Sequence, residues 1–318
     1  MKKSALGKTG IQVTPVGCGV LTVGRSQLGL PVGEGAGVVR RALERGINFL
    51  DTAQYYRTYP YIREALRGTG FEPVISSKCL GGSYGAMRDA VEEARAGMDR
   101  DAIDIFLLHE LRHGGDWESR RGAWEYLMEA KAKGLVRAIG ISTHHVDVAE
   151  RAASELEMDV LFPLINREGL GIRRGAGAGG RDEMAAAIKK AGEAGIGVFA
   201  MKALGGGNLV GGYIAALDYV RGLPGVVSVM VGLGSIDEAD RLAEYAEGRL
   251  DVSYRPDISG KRMRVDRGDC EGCGACVGRC PSHAVRLTGG GFAEIDPAKC
   301  LNCGYCAPVC PTRAIIFF

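Results

Sequence analysis

Two groups of cysteines near the end of the chain share one spacing. Cys270, Cys273, Cys276 and Cys280 precede Pro281, and Cys300, Cys303, Cys306 and Cys310 precede Pro311. The run Cys-x2-Cys-x2-Cys-x3-Cys-Pro thus occurs twice, thirty residues apart. A tetrahedral zinc site usually takes two close pairs separated by a longer loop, not four thiolates in eleven positions. Disulfides need an oxidising compartment, and the rest of the chain reads as intracellular. The spacing suits 4Fe–4S clusters, which are held by cysteine thiolates. The repeat also runs past the ligands: CPSHAV at 280–285 answers CPTRAI at 310–315, as expected of a duplicated two-site module.

The double run resembles the bacterial ferredoxin, in which the fourth cysteine of each copy serves the other cluster. That resemblance implies one cluster on Cys270, Cys273, Cys276 and Cys310, and a second on Cys300, Cys303, Cys306 and Cys280. It makes the chain an electron carrier. Residues 262–318 hold seven basic and five acidic side chains. This balance fits electrons passing within the chain or to an acidic redox partner protein.

A second set of reactive side chains lies upstream. Asp51 ends the run INFLD (47–51), Lys78 ends PVISSK (73–78), His109 ends IDIFLLH (103–109), and Tyr56 follows Asp51 by five places. Lys78, paired with Asp51, would lower the pKa of the Tyr56 hydroxyl. Tyr56 would then protonate a carbonyl oxygen as hydride reaches its carbon, while His109 orients and polarises that oxygen. Singly, each has an ordinary role as a cap, an ion-pair partner or a core histidine. Their arrival at successive strand ends is what points to a site.

The elements that must position these groups alternate along the chain. Strand-like runs fall at 13–20, 47–51, 73–78, 103–109, 136–142, 159–166, 196–202 and 225–232. They are apolar almost throughout, as strands of a parallel sheet covered on both faces must be. Amphipathic stretches separate them; Met87, Ala90, Val91, Ala94 and Met98 mark one helical face. Eight such units predict an α/β fold, a (β/α)8 TIM barrel, preceded by a short hairpin (KSAL and IQV). The runner-up is an open doubly wound sheet. The expected division is a barrel over 1–250, a connector over 251–261, and a small α+β ferredoxin-like domain over 262–318. The glycine-rich stretch 169–180 reads as a mobile loop, in which Arg173 and Arg174 would clamp an anionic substrate or remain solvated.

At 318 residues and 46% apolar content, one large core plus a small appended domain can be buried. A net charge of +2 gives no reason to expect nucleic acid or an acidic membrane surface. No apolar run approaches membrane-spanning length, and MKKSALGKTG has no apolar segment behind its lysines. A cytoplasmic location is expected. Cys18 and Cys79 read as core residues.

NFLDTAQYY (48–56) is similar to the aldo-keto reductase signature Asp-Thr-Ala-x-x-Tyr, and SSK and LLH at the third and fourth strand ends match that family's lysine and histidine. The chain resembles an iron–sulfur-containing member, fused to the cluster domain. The resemblance implies reduction of a small carbonyl compound, or oxidation of an alcohol, with Asp51, Tyr56, Lys78 and His109 catalytic and NAD(P)H as cofactor. It places Ser142, Thr143, Asn166 and Lys202 about the nicotinamide, and Gly232 and Ser235 at the phosphates. Departures occur there: Thr143 replaces an asparagine, Phe162 a glutamine, Met201 a tyrosine, Glu238 a basic residue and Leu242 an asparagine. An anion at 238 repels a 2′-phosphate, which favours NADH over NADPH. His144 and His145 form a second acid–base pair, or one caps a helix and the other is solvated.

Three functions remain open on these residues. The first couples carbonyl or alcohol chemistry to electron transfer through two clusters, and needs a step from two-electron to one-electron chemistry. The second is an NAD(P)H-dependent carbonyl reductase with structural clusters. The third is a non-catalytic electron-transfer protein on a barrel scaffold.

Overall fold

In the computed structural model, which describes residues 1–112, 114–154, 158–257, 262–301 and 303–317, eight parallel strands close into a barrel. They are β1 (Val16–Gly19), β2 (Phe49–Asp51), β3 (Val74–Cys79), β4 (Ile103–Leu111), β5 (Val136–Thr143), β6 (Val160–Pro163), β7 (Gly197–Ala200) and β8 (Val226–Gly232). One lies within or across each apolar run read from the sequence. β6 and β7 end early: Pro163 has no N–H to donate, and beyond it only an isolated bridge joins Leu164 to Met201. Asn166 and Lys202 therefore stand on loops past the ladder.

The helices α1 (Val32–Glu44), α2 (Tyr59–Leu66), α3 (Tyr84–Met98), α4 (Arg121–Ala132), α5 (Val146–Ala152), α6 (Arg181–Glu193), α7 (Tyr213–Arg221) and α8 (Ile236–Ala246) form the outer layer. In α3 the five apolar residues at helical spacing are the buried ones, and the Ser83 hydroxyl accepts the Ala86 N–H at the start. Inside the barrel, Phe49, Ile105, Leu107, Phe162 and Phe199 pack on Leu6, Ile11 and Val13 from the N-terminal hairpin and its turn. One end is plugged with apolar side chains. Polar groups are left to the other, where the strands end.

Residues 251–257 form no helix or strand, and 258–261 of the expected connector lie outside the described residues. The cluster domain then pairs β9 (Met263–Val265) with β12 (Ile315–Phe317), and β10 (Val285–Leu287) with β11 (Ala293–Ile295), around the short helix α9 (Ala275–Arg279). Its duplication extends to the backbone. His283 and Arg313, thirty residues apart, both have positive φ, at 52° and 63°.

β12 lies on the loop that follows β7. The Phe317 N–H donates to the Gly206 carbonyl at 2.9 Å, and Asn208 Nδ2 donates to the Ile315 carbonyl at 3.1 Å. Gly205, Gly206 and Gly207 take φ of 57°, 64° and 86°, a left-handed run that side chains resist. A Cβ on Gly207 would lie 2.0 Å from the Phe317 carbonyl oxygen. Backbone meets backbone here, so the glycine is a docking requirement. Gly207→Ala should cost at least about 1–2 kcal/mol from the left-handed strain alone, with the clash in addition. A lower melting temperature and faster proteolysis near residues 251–257 check this; an unchanged profile would contradict it.

Candidate active site

β2, β3 and β4 bring three of the expected residues to one mouth, and the turn after β2 adds the fourth. Lys78 Nζ donates to both Asp51 carboxylate oxygens, at 2.8 and 2.7 Å, and to the Thr52 carbonyl at 2.8 Å. Both side chains are buried. The Tyr56 hydroxyl stands 3.5 Å from His109 Nε2, with the two rings edge to face, and Lys78 Nζ lies 4.9 Å from the Tyr56 ring centre. Asp51, Tyr56, Lys78 and His109 thus form one contiguous cluster. Arg120 supports it from below by donating to the carbonyls of His109 and Cys79, each at 2.8 Å.

Electrostatics here differ from the sequence expectation. The Tyr56 phenol is pushed well above its ordinary pKa, first by burial and then by the carboxylates of Asp51, Asp266, Asp269 and Glu110. Lys78 does not acidify it, because the ammonium is already matched by Asp51. Burial works against charge on both partners of that pair, raising the Asp51 carboxyl and lowering the Lys78 ammonium, while their mutual attraction opposes it. Burial, then the Lys78 charge, holds His109 well below the usual imidazole range. Tyr56 is therefore a neutral donor and His109 a neutral ring at physiological pH.

Beside the cluster lies a cavity of about 210 Å³. Its walls include Tyr56, Phe162, Met201, Met230 and Tyr213 from the barrel, and Asp266, Ile316 and Phe317 from the cluster domain. Gly232 and Lys202 also line it, as does Glu238. The other expected cofactor contacts are turned to the chain itself. Ser142 Oγ accepts the Glu110 N–H at 2.8 Å, and Thr143 Oγ1 donates to the Leu111 carbonyl at 2.6 Å. The Asn166 amide closes a turn on Leu170 through both its oxygen and its nitrogen, each at 2.9 Å. The phosphate position is filled as well. Ser235 Oγ accepts the Glu238 N–H, and the Glu238 carboxylate accepts the Gly234 N–H at 2.7 Å, so the start of α8 carries its own anion. Of the expected cofactor contacts, Gly232 and Lys202 face the cavity, while Ser142, Thr143, Asn166 and Ser235 are engaged by the chain's own loops.

The remaining expectations about this mouth are also resolved geometrically. His144 and His145 are both buried, and neither side chain caps α5. Burial is the main cause that lowers His144 to about 3. The 169–180 segment is a small hairpin, with Arg173–Arg174 paired to Gly177–Ala178. Arg174 is held by Glu150 and Glu183, and Arg173 lies 3.8 Å from Glu271 of the cluster domain. Those arginines are ion-paired within the chain. Cys18 and Cys79 are buried, and the Cys79 thiol contacts Gln54 Oε1 at 3.0 Å.

Two small cavities in the C-terminal domain each gather four cysteines. Cys270, Cys273, Cys276 and Cys310 line one; Cys280, Cys300, Cys303 and Cys306 line the other. Backbone amides add to the sulfur environment: Ala284 N–H reaches Cys280 Sγ at 3.3 Å and Ala314 N–H reaches Cys310 Sγ at 3.2 Å. Four convergent thiols with amide donors fit a 4Fe–4S cluster in each.

Sequence reasoning missed Asp269, one residue before Cys270, which forms an ion pair with Lys202 at the barrel mouth. Burial, the largest single influence, would raise the Asp269 carboxyl, but Lys202, His144 and Arg112 together outweigh it and the net direction is down. Lys202 is displaced upward, since Asp269 and Asp266 outweigh its own burial. Arg112 donates to the Gly268 carbonyl nearby, at 3.4 Å. No pattern in the sequence marks this pairing, because its partners are 67 positions apart.

Comparison with known proteins follows the same division. The profile of the aldo/keto reductase family matches residues 15–222. The chain belongs to that family. A 4Fe-4S dicluster domain matches residues 269–314. L-galactose dehydrogenase of Arabidopsis thaliana is 31% identical over 160 residues, 45% of this chain and 49% of that protein. An aldo-keto reductase of Mycobacterium sp. (strain MCS) is 30% identical over 153 residues, covering 44% and 51% respectively. The chain spans about half the length of these curated relatives. A solved structure from Pseudomonas aeruginosa, described as a "putative aldo-keto reductase", aligns with a TM-score of 0.65 at 27% identity, over 77% of this chain and 95% of that one. The holo form of an aldo-keto reductase of Bacillus halodurans shares the fold at a TM-score of 0.63 and 18% identity, over 81% and 99%. Among the described residues, no helix is long and apolar enough to cross a membrane.

The Lys202–Asp269 pair sets a pH window for docking. The Asp269 contribution is complete above the ordinary carboxylate pKa and is lost as pH falls through its depressed folded value. The Lys202 contribution is complete below the ordinary lysine pKa and is lost as pH rises through its raised folded value. Docking should hold from about pH 4 to 10, and Lys202→Met should loosen it throughout. Hydrogen exchange of residues 205–208 and 315–317 reads this directly. Unchanged protection in the variant would refute the pair's role.

Proposed function

We propose that this chain is an oxidoreductase that interconverts a small carbonyl compound and its alcohol at Tyr56, with electrons passing through two 4Fe–4S clusters. The observation that carries the reading is the contact between Lys202 and Asp269, which seats the first cysteine run one residue from the barrel mouth. When bound, the clusters supply or accept electrons one at a time. Conversion of a carbonyl to its alcohol takes two electrons and two protons. Tyr56 holds one of those protons at its hydroxyl and presents it to the substrate oxygen, and His109 Nε2 fixes that oxygen's position. Asp51 and Lys78 keep a net-neutral polar floor under the phenol. Asp266, Ile316 and Phe317 cover the cavity and limit water.

The substrate that fits is small, uncharged and largely apolar beyond its carbonyl, because the barrel side of the cavity is walled by Phe162, Met201, Met230 and Tyr213. The domain division proposed for the working enzyme is the barrel to residue 250, the connector, and the cluster domain from 262. The test is anaerobic turnover of the reconstituted protein with reduced methyl viologen and a panel of aldehydes and ketones. Carbonyl-dependent viologen oxidation is expected, and Tyr56→Phe should lower it by about 10²–10⁴-fold while the clusters still reduce. Because Tyr56 is raised and His109 depressed, no rate-controlling ionisation from either should appear between about pH 6.5 and 10. Failure of viologen to drive any carbonyl, with turnover restored by NADH alone, would overturn the reading.

Family membership favours a second reading, hydride delivery from a nicotinamide with the clusters structural. On that reading NADH is preferred to NADPH, since the Glu238 carboxylate opposes a phosphate. Fluorescence titration should show weak NADPH binding that tightens in Glu238→Ala. Tight NADPH binding by the native chain would overturn the preference assigned to Glu238.

A further inference from the structure

The cluster domain is built twice from one plan, and only one copy of that plan faces the barrel. The loop leading into Cys270 and the loop leading into Cys300 are matched in detail. Asp266 N–H donates to the Ala314 carbonyl at 2.7 Å, and Asp296 N–H to the Ala284 carbonyl at 2.8 Å. Each aspartate then accepts the amide two residues on at 3.0 Å, from Gly268 and from Ala298. Gly274 and Gly304 adopt the same left-handed conformation, with φ of 76° and 77°.

The side chains on the two copies are opposite in character. In the copy against the barrel, Asp269 pairs with Lys202, Glu271 lies near Arg173, and Arg313 is buried beside Gly171. An acidic face has docked on a basic mouth. Thirty residues away in register, Lys299 stands where Asp269 does, Leu301 where Glu271 does, and His283 where Arg313 does. All three are exposed. Leu301 is 70% and Tyr305 56% accessible, and Arg279 stacks on the Tyr305 ring at 5.8 Å. Leu301 lines the same cavity as Cys280, Cys300, Cys303 and Cys306. This copy thus exposes Leu301 at the second cluster site and Tyr305 beneath Arg279, with His283 and Lys299 also exposed on it and Lys299 3.8 Å from Asp296.

We propose that this outward face receives a separate, acidic one-electron carrier protein, as its sister face receives the barrel with the charges reversed. The proposal rests on the reading that the clusters serve the barrel. In each encounter the carrier would lose one electron to the 4Fe–4S cluster that Cys280, Cys300, Cys303 and Cys306 would hold, with no bond formed and no proton exchanged. Two encounters supply the two electrons that a carbonyl takes up together with two protons, one presented by Tyr56, which water then reprotonates, and one from water directly. Complementary charge steers the encounter and the exposed Leu301 and Tyr305 bring the redox groups close.

The test uses the full-length, cluster-loaded protein and a reduced acidic flavodoxin as probe, followed anaerobically by stopped-flow absorbance. The second-order rate constant should fall as salt rises. In the Arg279→Glu, Lys299→Glu double variant it should fall by about tenfold or more, while methyl viologen radical still reduces the clusters at the native rate. Leu301→Ser should weaken flavodoxin binding measured by titration calorimetry, with unchanged cluster electron-paramagnetic-resonance signals. An unchanged rate in the double variant, a rate indifferent to salt, or faster reduction by a basic carrier protein would overturn the proposal. So would a dimer of the native chain that Leu301→Ser dissociates, since the occupant would then be a second copy. Normal reduction of the clusters by flavodoxin without viologen-driven carbonyl turnover would support the port and reject the catalytic reading.

Discussion

A lysine at the barrel mouth and an aspartate beside the first cluster cysteine hold two differently built units in one working arrangement. The pair of Lys202 and Asp269 works with the hydrogen bonds of Phe317 to Gly206 and of Asn208 to Ile315, which join the same two units. With them in contact, the cavity gains a wall made of Asp266, Ile316 and Phe317. The same pair brings the carboxylates of Asp266 and Asp269 to within electrostatic reach of Tyr56, where they add to burial, the main cause, in holding the phenol protonated. Docking and proton inventory are therefore one problem, solved by the same few side chains.

The buried pair of Lys78 and Asp51 has a different task. Its charges cancel locally, at the expense of desolvating both, so it offers shape and hydrogen-bond order more than a field. A net positive charge under the phenol would favour its ionised form. The observed arrangement favours a neutral donor that can give up its proton only to a developing negative charge on oxygen. Reduction of a carbonyl creates such a charge; oxidation of an alcohol begins by asking for the opposite.

Much of this was legible in the chain because the signals are local or strictly periodic. Eight apolar runs gave eight strands, since strands buried on both faces cannot hide their composition. The four cysteines of each cavity could be grouped through the resemblance to the bacterial ferredoxin, in which the fourth cysteine crosses to the other site, whereas spacing alone keeps Cys280 with Cys276. Asp51, Tyr56, Lys78 and His109 converge because strand ends of a barrel share one rim. Illegible features depend on distant partners. Ser142, Thr143 and Asn166 have the right types for ligand contacts, yet their polar atoms serve the backbone of neighbouring loops. Residues 169–180 looked shapeless, but the acids Glu150 and Glu183 give the loop a fixed form. The triple glycine 205–207 is a socket whose reason lies more than a hundred residues downstream, where no local signal could show it.

Glu238 has a consequence for how such a protein would sit in a cell crowded with adenylates. A carboxylate tethered one turn into α8 competes for the Gly234 amide at an effective concentration that no free metabolite reaches. Polyphosphates and mononucleotides would each have to evict an anion that cannot diffuse away. On the function proposed above, the supply of single electrons, and not the adenylate pool, would then set the barrel's pace.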